Sequence, residues 1–173
     1  PYLGIPTYSL LMKIDSHHHF WKYNSAEYPW MNEEMGILKE DHLPADLKQE
    51  IEQAGIDAVV SVQASQTLAE TDALLGYAAE HDFIKGVVGW FPLADENISE
   101  ILCGYTENPY LKGIRHVVQD EPDDRFILGE AFGRGVAHLK DLNLVYDILI
   151  YERQLVASIE FVDRHPDLVF VLD

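Results

Sequence analysis

The chain has 173 residues, 47% of them hydrophobic, so it can form one domain with a sizeable core but not two ordinary domains. Its 30 acidic and 12 basic residues give a formal net charge of −18. Such a charge repels phosphate backbones and anionic lipids, which argues against nucleic acid and membrane surfaces as partners. The single cysteine, Cys103, rules out an internal disulfide framework, and we expect a cytoplasmic protein.

Residues 1–11 are mildly apolar and precede a plausible start methionine, Met12. They lack the basic start and the cleavage-site chemistry of a signal peptide. We therefore interpret residues 1–11 as an upstream extension, and we expect the domain to begin at Met12.

From there the chain alternates between strand-like and helix-like segments. Six apolar or β-branched runs predict strands over 13–19, 58–63, 84–91, 111–118, 144–150 and 168–172. Helical spacing predicts five intervening helices, beginning at Pro44, at Thr67, near Ile98, at Phe126 and near Leu155. The spacing of Thr67 and Glu70 predicts a capping box at the start of the second helix.

This alternation predicts an α/β protein with a parallel sheet and right-handed crossovers. Two architectures fit it. One is an open doubly wound sheet, and the other is a (β/α)8 TIM-type barrel, which typically needs about 250 residues. The first strand ends in His-His-His-Phe-Trp rather than in a glycine-rich phosphate loop, which favours a partial barrel made of the N-terminal six strands.

The segment from Ile14 to Trp21 carries the clearest chemical signal. Side chains on a strand alternate between its two faces, so His17 and His19 share one face and His18 points away. Two imidazoles on one face of a rigid strand can hold a divalent metal ion. We therefore predict His17 and His19 as catalytic residues and as ligands of one metal ion, with zinc as the candidate.

Seven short motifs occur in a fixed order along the chain. They are Ile-Asp-Ser-His-His-His-Phe-Trp (14–21), Tyr-Pro-Trp-Met (28–31), Val-Gln-Ala (62–64), Val-Gly-Trp (88–90), Lys-Gly-Ile-Arg-His (112–116), Gln-Asp-Glu-Pro-Asp (119–123) and Phe-Val-Leu-Asp (170–173). Together they resemble the amidohydrolase 2 branch of the amidohydrolase superfamily, and in particular its sugar-acid lactonases, such as L-fuconolactonase and L-rhamnonolactonase. The 2-pyrone-4,6-dicarboxylate lactonases are more distantly similar.

The resemblance implies a hydrolase that opens the lactone ring of a sugar acid in a barrel, and that residues 12–173 are the N-terminal part of such a domain. It also implies a sixth-strand histidine directly after a Leu-Asp pair such as Leu172-Asp173, and an eighth-strand aspartate. We therefore expect activity to need further strands. Two alternatives stay open: another amidohydrolase-like reaction, such as decarboxylation or hydrolysis of an aromatic acid lactone, and an inactive fragment.

Four more polar residues are candidates for the site. Arg115 can hold a substrate oxygen or carboxylate through its planar guanidinium, or it can form a plain surface ion pair. His116 faces the other way on a regular strand, as a catalytic proton carrier or as a packing histidine. Gln63 is predicted to bind substrate, or else to make an ordinary contact at the end of its strand. Asp147 is also predicted to bind substrate, or else to orient a histidine of the site.

Lactone hydrolysis can use the histidine pair in two ways. A bound metal ion polarises the carbonyl or lowers the pKa of its water to about 7. Without a metal, the two imidazoles would donate hydrogen bonds to the carbonyl. The expected partner is a small sugar lactone, and because six strands leave two sheet edges unpaired, we also expect the chain to associate with itself.

Overall fold

The computed structural model describes residues 11–173; the interpretation of residues 1–11 as an extension thus falls, except for Leu11, outside the described residues. Six parallel strands form one sheet in the order β1-β2-β3-β4-β5-β6. The strands are β1 (Ile14–His18), β2 (Ala58–Val62), β3 (Ile84–Gly89), β4 (Leu111–Val117), β5 (Val145–Leu149) and β6 (Phe170–Leu172). This order winds in one direction, whereas a doubly wound sheet reverses it. The partial barrel is confirmed.

One helix follows each of the first five strands. These are α1 (Pro44–Ala54), α2 (Leu68–Glu80), α3 (Ile98–Cys103), α4 (Glu130–Asp141) and α5 (Leu155–Arg164), with short 3-10 segments at Glu33–Leu38, Val118–Asp120, Phe126–Leu128 and Glu152–Gln154. Pro44 begins α1, and Gly55 ends it with a left-handed φ of 67°. No helix within residues 11–173 combines the length and the apolar character that crossing a membrane requires.

Two local predictions were wrong in part. The helix predicted from Phe126 is a 3-10 turn at first, and α4 begins only after Gly129. Thr67 does cap α2, since its hydroxyl accepts a hydrogen bond from the Glu70 amide at 3.2 Å. The Glu70 carboxylate does not complete the capping box, because it accepts three other hydrogen bonds that are described below.

The main core lies between the sheet and the helices. Val59, Ile114 and Tyr146 point outward into it from their strands. The alternate residues Arg115 and Asp147, which are register partners, point to the inner face of the sheet. The sheet is strongly curved, because a side chain at the end of β1 contacts the residue after β6.

Helix α4 packs unusually close to the segment that follows β3. A Cβ atom placed on Gly135 would lie 1.8 Å from the main-chain oxygen of Leu93. Only glycine therefore allows this approach, which explains a residue that otherwise weakens the helix.

Candidate active site

An open cleft of about 510 Å³ lies at the carboxyl ends of the strands, where barrel enzymes have their active sites. Histidines at the end of β1 form one side of it, and residues after β4, β5 and β6 form the other. Its walls include His17, His19, Trp30, Arg115, Tyr151 and Asp173.

The histidine pair converges as the alternation of side chains predicts. The Nε2 atoms of His17 and His19 lie 3.2 Å apart, with their rings nearly perpendicular. His18 points to the other face, where its Nε2 lies 3.1 Å from the hydroxyl of Ser61. The pair keeps this geometry although the pairing of β1 with β2 shifts register between Asp15 and His18.

The hydrogen-bond partners of the two rings assign their tautomers. Nδ1 of His19 lies 2.9 Å from the main-chain oxygen of Val62, and Nδ1 of His17 lies 2.9 Å from a carboxylate oxygen of Asp173. Both partners only accept hydrogen bonds, so both Nδ1 atoms carry the proton. In this tautomer a neutral ring presents a lone pair at Nε2.

This assignment corrects one expectation from the sequence. Burial lowers the pKa of His19 to about 4, so the ring is neutral near pH 7. A neutral His19 that is protonated at Nδ1 cannot donate a hydrogen bond from Nε2 to a substrate carbonyl. Without a metal, its Nε2 can only accept a hydrogen bond.

The two lone pairs fit a metal ion. Two tetrahedral zinc–nitrogen bonds of about 2.0–2.1 Å hold their nitrogens about 3.3 Å apart, close to the separation of the two Nε2 atoms. Metal-binding histidines usually donate the other ring N–H to a carboxylate or a main-chain carbonyl, as His17 and His19 do. Within residues 11–173, no group of three or more His, Cys, Asp or Glu side chains is placed to hold a metal ion.

Arg115 and Asp147 lie together on the inner face of the sheet, whereas the Gln63 side chain is fully buried and does not line the cleft. The Arg115 guanidinium donates to the main-chain oxygen of Gln63, and its Nη1 lies 3.4 Å from Nε2 of His17. Asp147 is the register partner of Arg115 on β5. Burial, together with the charge of Asp173, raises the pKa of Asp147 to about 6.

Asp173 was missed by sequence reasoning as a site residue. One of its carboxylate oxygens accepts the hydrogen bond of His17, and the other lies 2.5 Å from Nη1 of Arg115. The available signal was its position, because an aspartate directly after a predicted strand lies at the same edge as the histidines.

Glu70 was also missed. Its carboxylate is buried and accepts hydrogen bonds from the Tyr28 hydroxyl at 3.1 Å and from the amides of Ala64 and Ser65 at 2.9 and 2.7 Å. Burial raises the pKa of Glu70. The indole of Trp30 in turn donates to the main-chain oxygen of Ala64. Glu70 therefore stabilises the positions of Ala64 and Trp30, which both line the cleft.

His116, like Gln63 and Asp147, does not line the cleft. It lies on the helix-facing side of β4, between the rings of Phe126 and Phe132. Its Nδ1 accepts a hydrogen bond from the indole of Trp90, and its Nε2 lies 2.7 Å from Glu121.

A parallel, barrel-type sheet with polar side chains at the carboxyl ends of its strands is the arrangement found in (β/α)8-barrel enzymes. Comparison with known proteins is more specific. The amidohydrolase family model matches residues 14–173, and the chain belongs to the amidohydrolase family. The resemblance found in the sequence is thereby confirmed.

Two curated relatives are L-fucono-1,5-lactonases. The protein from Burkholderia multivorans (strain ATCC 17616 / 249) is 40% identical over 163 residues, which cover 94% of this chain and 55% of the relative. The protein from Burkholderia ambifaria is 29% identical, with 95% of this chain and 57% of the relative covered. The chain thus spans little more than half the length of the curated relatives it matches.

Solved structures confirm the fold. A crystal structure of an amidohydrolase from Burkholderia multivorans with bound zinc has a TM-score of 0.89 and 39% identity, covering 94% of this chain and 57% of that chain. The 2,6-dihydroxybenzoate decarboxylase from Rhizobium has a TM-score of 0.68 and 12% identity, and it covers 93% of this chain and 65% of that chain. At that identity the decarboxylase shows the shared fold alone.

Proposed function

We propose that this protein is a hydrolase that opens the lactone ring of a sugar acid. The observation that carries the proposal is the convergence of two Nε2 lone pairs, 3.2 Å apart, beside the guanidinium of Arg115. The 40% identity to an L-fucono-1,5-lactonase supports the same reaction. Cytoplasmic localisation, and the absence of nucleic-acid and membrane partners, stay predictions from composition.

A lactone is a cyclic ester, so its hydrolysis needs an activated water and stabilisation of the oxyanion that forms at the carbonyl. Nε2 of His19 or His17 accepts a hydrogen bond from the water and takes its proton as a general base, and the ring then gives that proton to the alkoxide oxygen that leaves when the lactone C–O bond breaks. The Nη1 group of Arg115, directed at the same point, stabilises the oxyanion. Asp147 and Gln63 are proposed to bind the substrate beside Arg115.

A divalent metal ion is compatible with this arrangement. His17 and His19 would hold it, and the zinc in the related amidohydrolase structure supports zinc as the ion. A bound ion supplies Lewis-acid polarisation of the lactone carbonyl. Asp173 and the main-chain oxygen of Val62 keep both rings in the tautomer that such binding requires.

The walls of the cleft favour an uncharged lactone over a carboxylated ring. Trp30 and Tyr151 offer apolar faces to a sugar ring. Arg115 is the single cation among the described lining residues, and Asp173 already neutralises it. Asp120 adds a further negative charge, so a carboxylate substrate would be repelled.

A substrate panel tests the proposal. Aldonolactones, a pyrone dicarboxylate and a dihydroxybenzoate are supplied to the protein, and acid release or decarboxylation is followed before and after treatment with a chelator and after adding zinc. Because activity is expected to need further strands, the assay uses the protein together with those strands. We expect it to release acid from aldonolactones, with a loss of about 100-fold in His17→Asn and His19→Asn. The matched substitution His138→Asn, on α4, is the control.

The outcomes separate the alternatives. Turnover of the pyrone dicarboxylate or of the dihydroxybenzoate, with no enzymatic release of acid from any aldonolactone, would replace the proposal. The reaction would then be hydrolysis of an aromatic acid lactone or decarboxylation. Loss on chelation that zinc restores supports the metal-assisted route. Activity that withstands chelation supports the histidines as the base.

A further inference from the structure

We propose that His116 is a positioning residue that fixes the Val118–Asp120 turn against the cleft, and that it carries no proton in the reaction. The mechanistic part of this inference rests on the proposed lactone hydrolysis, whereas the structural part does not. The turn matters because two of its residues, Gln119 and Asp120, line the cleft opposite the histidine pair.

Both nitrogens of His116 are already committed. The indole N–H of Trp90 can only donate, so Nδ1 of His116 accepts its hydrogen bond at 3.2 Å. The proton then sits on Nε2, which donates to the Glu121 carboxylate at 2.7 Å. No ring nitrogen remains for a substrate.

The surroundings of the ring block a catalytic approach as well. His116 is 9% exposed, and its ring is stacked on Phe126 with centroids 5.0 Å apart and planes 15° from parallel. Phe132 contacts it edge-on at a centroid distance of 5.4 Å. Strand alternation directs Arg115 and Val117 into the cleft and His116 away from it.

The bond to Glu121 links this buried ring to the cleft. Glu121 directly follows the turn, and its amide donates to the main-chain oxygen of Val118 at 3.1 Å. Holding the Glu121 carboxylate therefore holds the end of the turn. The bond from Nε2 is charge-assisted, which makes it stronger than a hydrogen bond between neutral groups.

The same contacts extend back to α2. The amide and the carbonyl of Trp90 both bond to the hydroxyl of Thr71, each at 2.9 Å. Thr71 thus holds the main chain of Trp90, and the Trp90 indole in turn bonds to His116. The chain Thr71–Trp90–His116–Glu121 joins helix α2, the segment after β3 and the segment after β4 behind the cleft.

A second clamp holds the turn from its other side, and it limits the expected effect. The side chain of Gln154, which is fully buried, donates to the main-chain oxygen of Val118 at 2.7 Å. Arg153 donates to the main-chain oxygen of Gln119 at 2.9 Å. Loss of His116 should therefore loosen the Glu121 end of the turn without unfolding it.

Two variants of the full chain separate positioning from proton transfer. His116→Phe keeps an aromatic ring for the stack but removes both hydrogen bonds, and His116→Gln keeps an N–H that can reach Glu121. Amide hydrogen exchange at Glu121 is measured by NMR, and the tautomer of His116 in the unmodified chain is read from its ring nitrogen shifts. His138→Gln is the matched control, and circular dichroism verifies folding.

We expect the Nε2–H tautomer in the unmodified chain. Exchange at Glu121 should accelerate about tenfold in His116→Phe and stay within about threefold of the unmodified chain in His116→Gln. Where lactone turnover is measurable, KM should rise about tenfold in His116→Phe with kcat within about threefold, and His116→Gln should restore KM.

An Nδ1–H tautomer, or unchanged exchange at Glu121 in His116→Phe, would overturn the inference. So would a loss of kcat of about 100-fold in both variants with KM unchanged, because that is the signature of a proton carrier. Absence of lactone turnover in a protein that also has the further strands contradicts the proposed function alone, since the tautomer and the exchange rates still decide the role of His116.

Discussion

The Asp173 carboxylate lies 2.9 Å from Nδ1 of His17, and so a residue after β6 fixes the tautomer of a histidine on β1. The same carboxylate pairs with Arg115. One side chain thus orients both the proposed base and the proposed oxyanion donor. This gives Asp173 a large share of the organisation of the cleft.

Replacing Asp173 with asparagine should disturb the cleft without changing its packing. The substitution removes the charge that pairs with Arg115 and weakens the acceptor for His17. We expect lactone turnover and zinc affinity to fall by about 10–100-fold, measured by acid release and by calorimetry. Asp167→Asn, which removes an exposed ion pair with Lys140, is the control and should change neither. Equal behaviour of the two variants would refute the role of Asp173.

Acidification should destabilise the fold through its half-buried histidines, His18 and His19. Burial lowers the pKa of His18 and of His19 from 6.5 to about 4. Between these values the unfolded chain binds protons that the folded chain does not, so the free energy of unfolding falls as the pH falls from about 6.5 to 4. Asp147 opposes this between pH 6 and 3.8, because its pKa is raised in the folded state.

Urea unfolding at several pH values between 7.5 and 5 measures this effect. We expect His18→Asn to remove roughly 2 kcal/mol of the pH dependence, while His138→Asn retains the unmodified slope. Comparing variants cancels the effect of the changing net charge. A slope that is the same in His18→Asn and in the unmodified chain would count against a neutral, half-buried His18 ring.

Two glycines within helices should respond to alanine in opposite directions. Gly76 on α2 is exposed with open space around it, so Gly76→Ala should stabilise the chain by about 0.5–1 kcal/mol. Gly135→Ala should destabilise it by about 3 kcal/mol, because the new methyl group would overlap the main chain of Leu93. Urea unfolding at neutral pH tests both, and a tolerated Gly135→Ala would show that α4 can shift.

The chain should associate with itself through the side formed by β6 and α5. Val156, Ile159 and Val171 are exposed there. Within residues 11–173, β6 pairs on one side only, so its other edge is free to pair with another chain. Ile159→Lys should reduce association at least several-fold in analytical ultracentrifugation, whereas Ile37→Lys, at another exposed site, should not. A monodisperse monomer without either substitution would contradict the expectation.

Local patterns account for most of the fold and for part of the site. Period-two alternation placed His17 and His19 on one face, and the β-branched runs located the strands to within a few residues. The start of α4 was wrong because helical spacing also runs through the 3-10 turn before Gly129. Glu70 was read only as a cap, since its spacing from Thr67 says nothing about Tyr28.

Residue order was therefore sufficient for the α/β class, the six strands and the convergence of the histidine pair, because each depends on neighbours a few positions apart. It could not decide which tautomer the histidines adopt, that Asp173 joins the site or that Trp90 and Glu121 occupy both ring nitrogens of His116. Those properties depend on contacts across the curved sheet, such as Arg115 with His17, 98 positions apart, and Arg115 with Asp173, 58 positions apart. Only the packing of the helices against the sheet brings such groups within hydrogen-bond distance and removes the water that would otherwise compete for them.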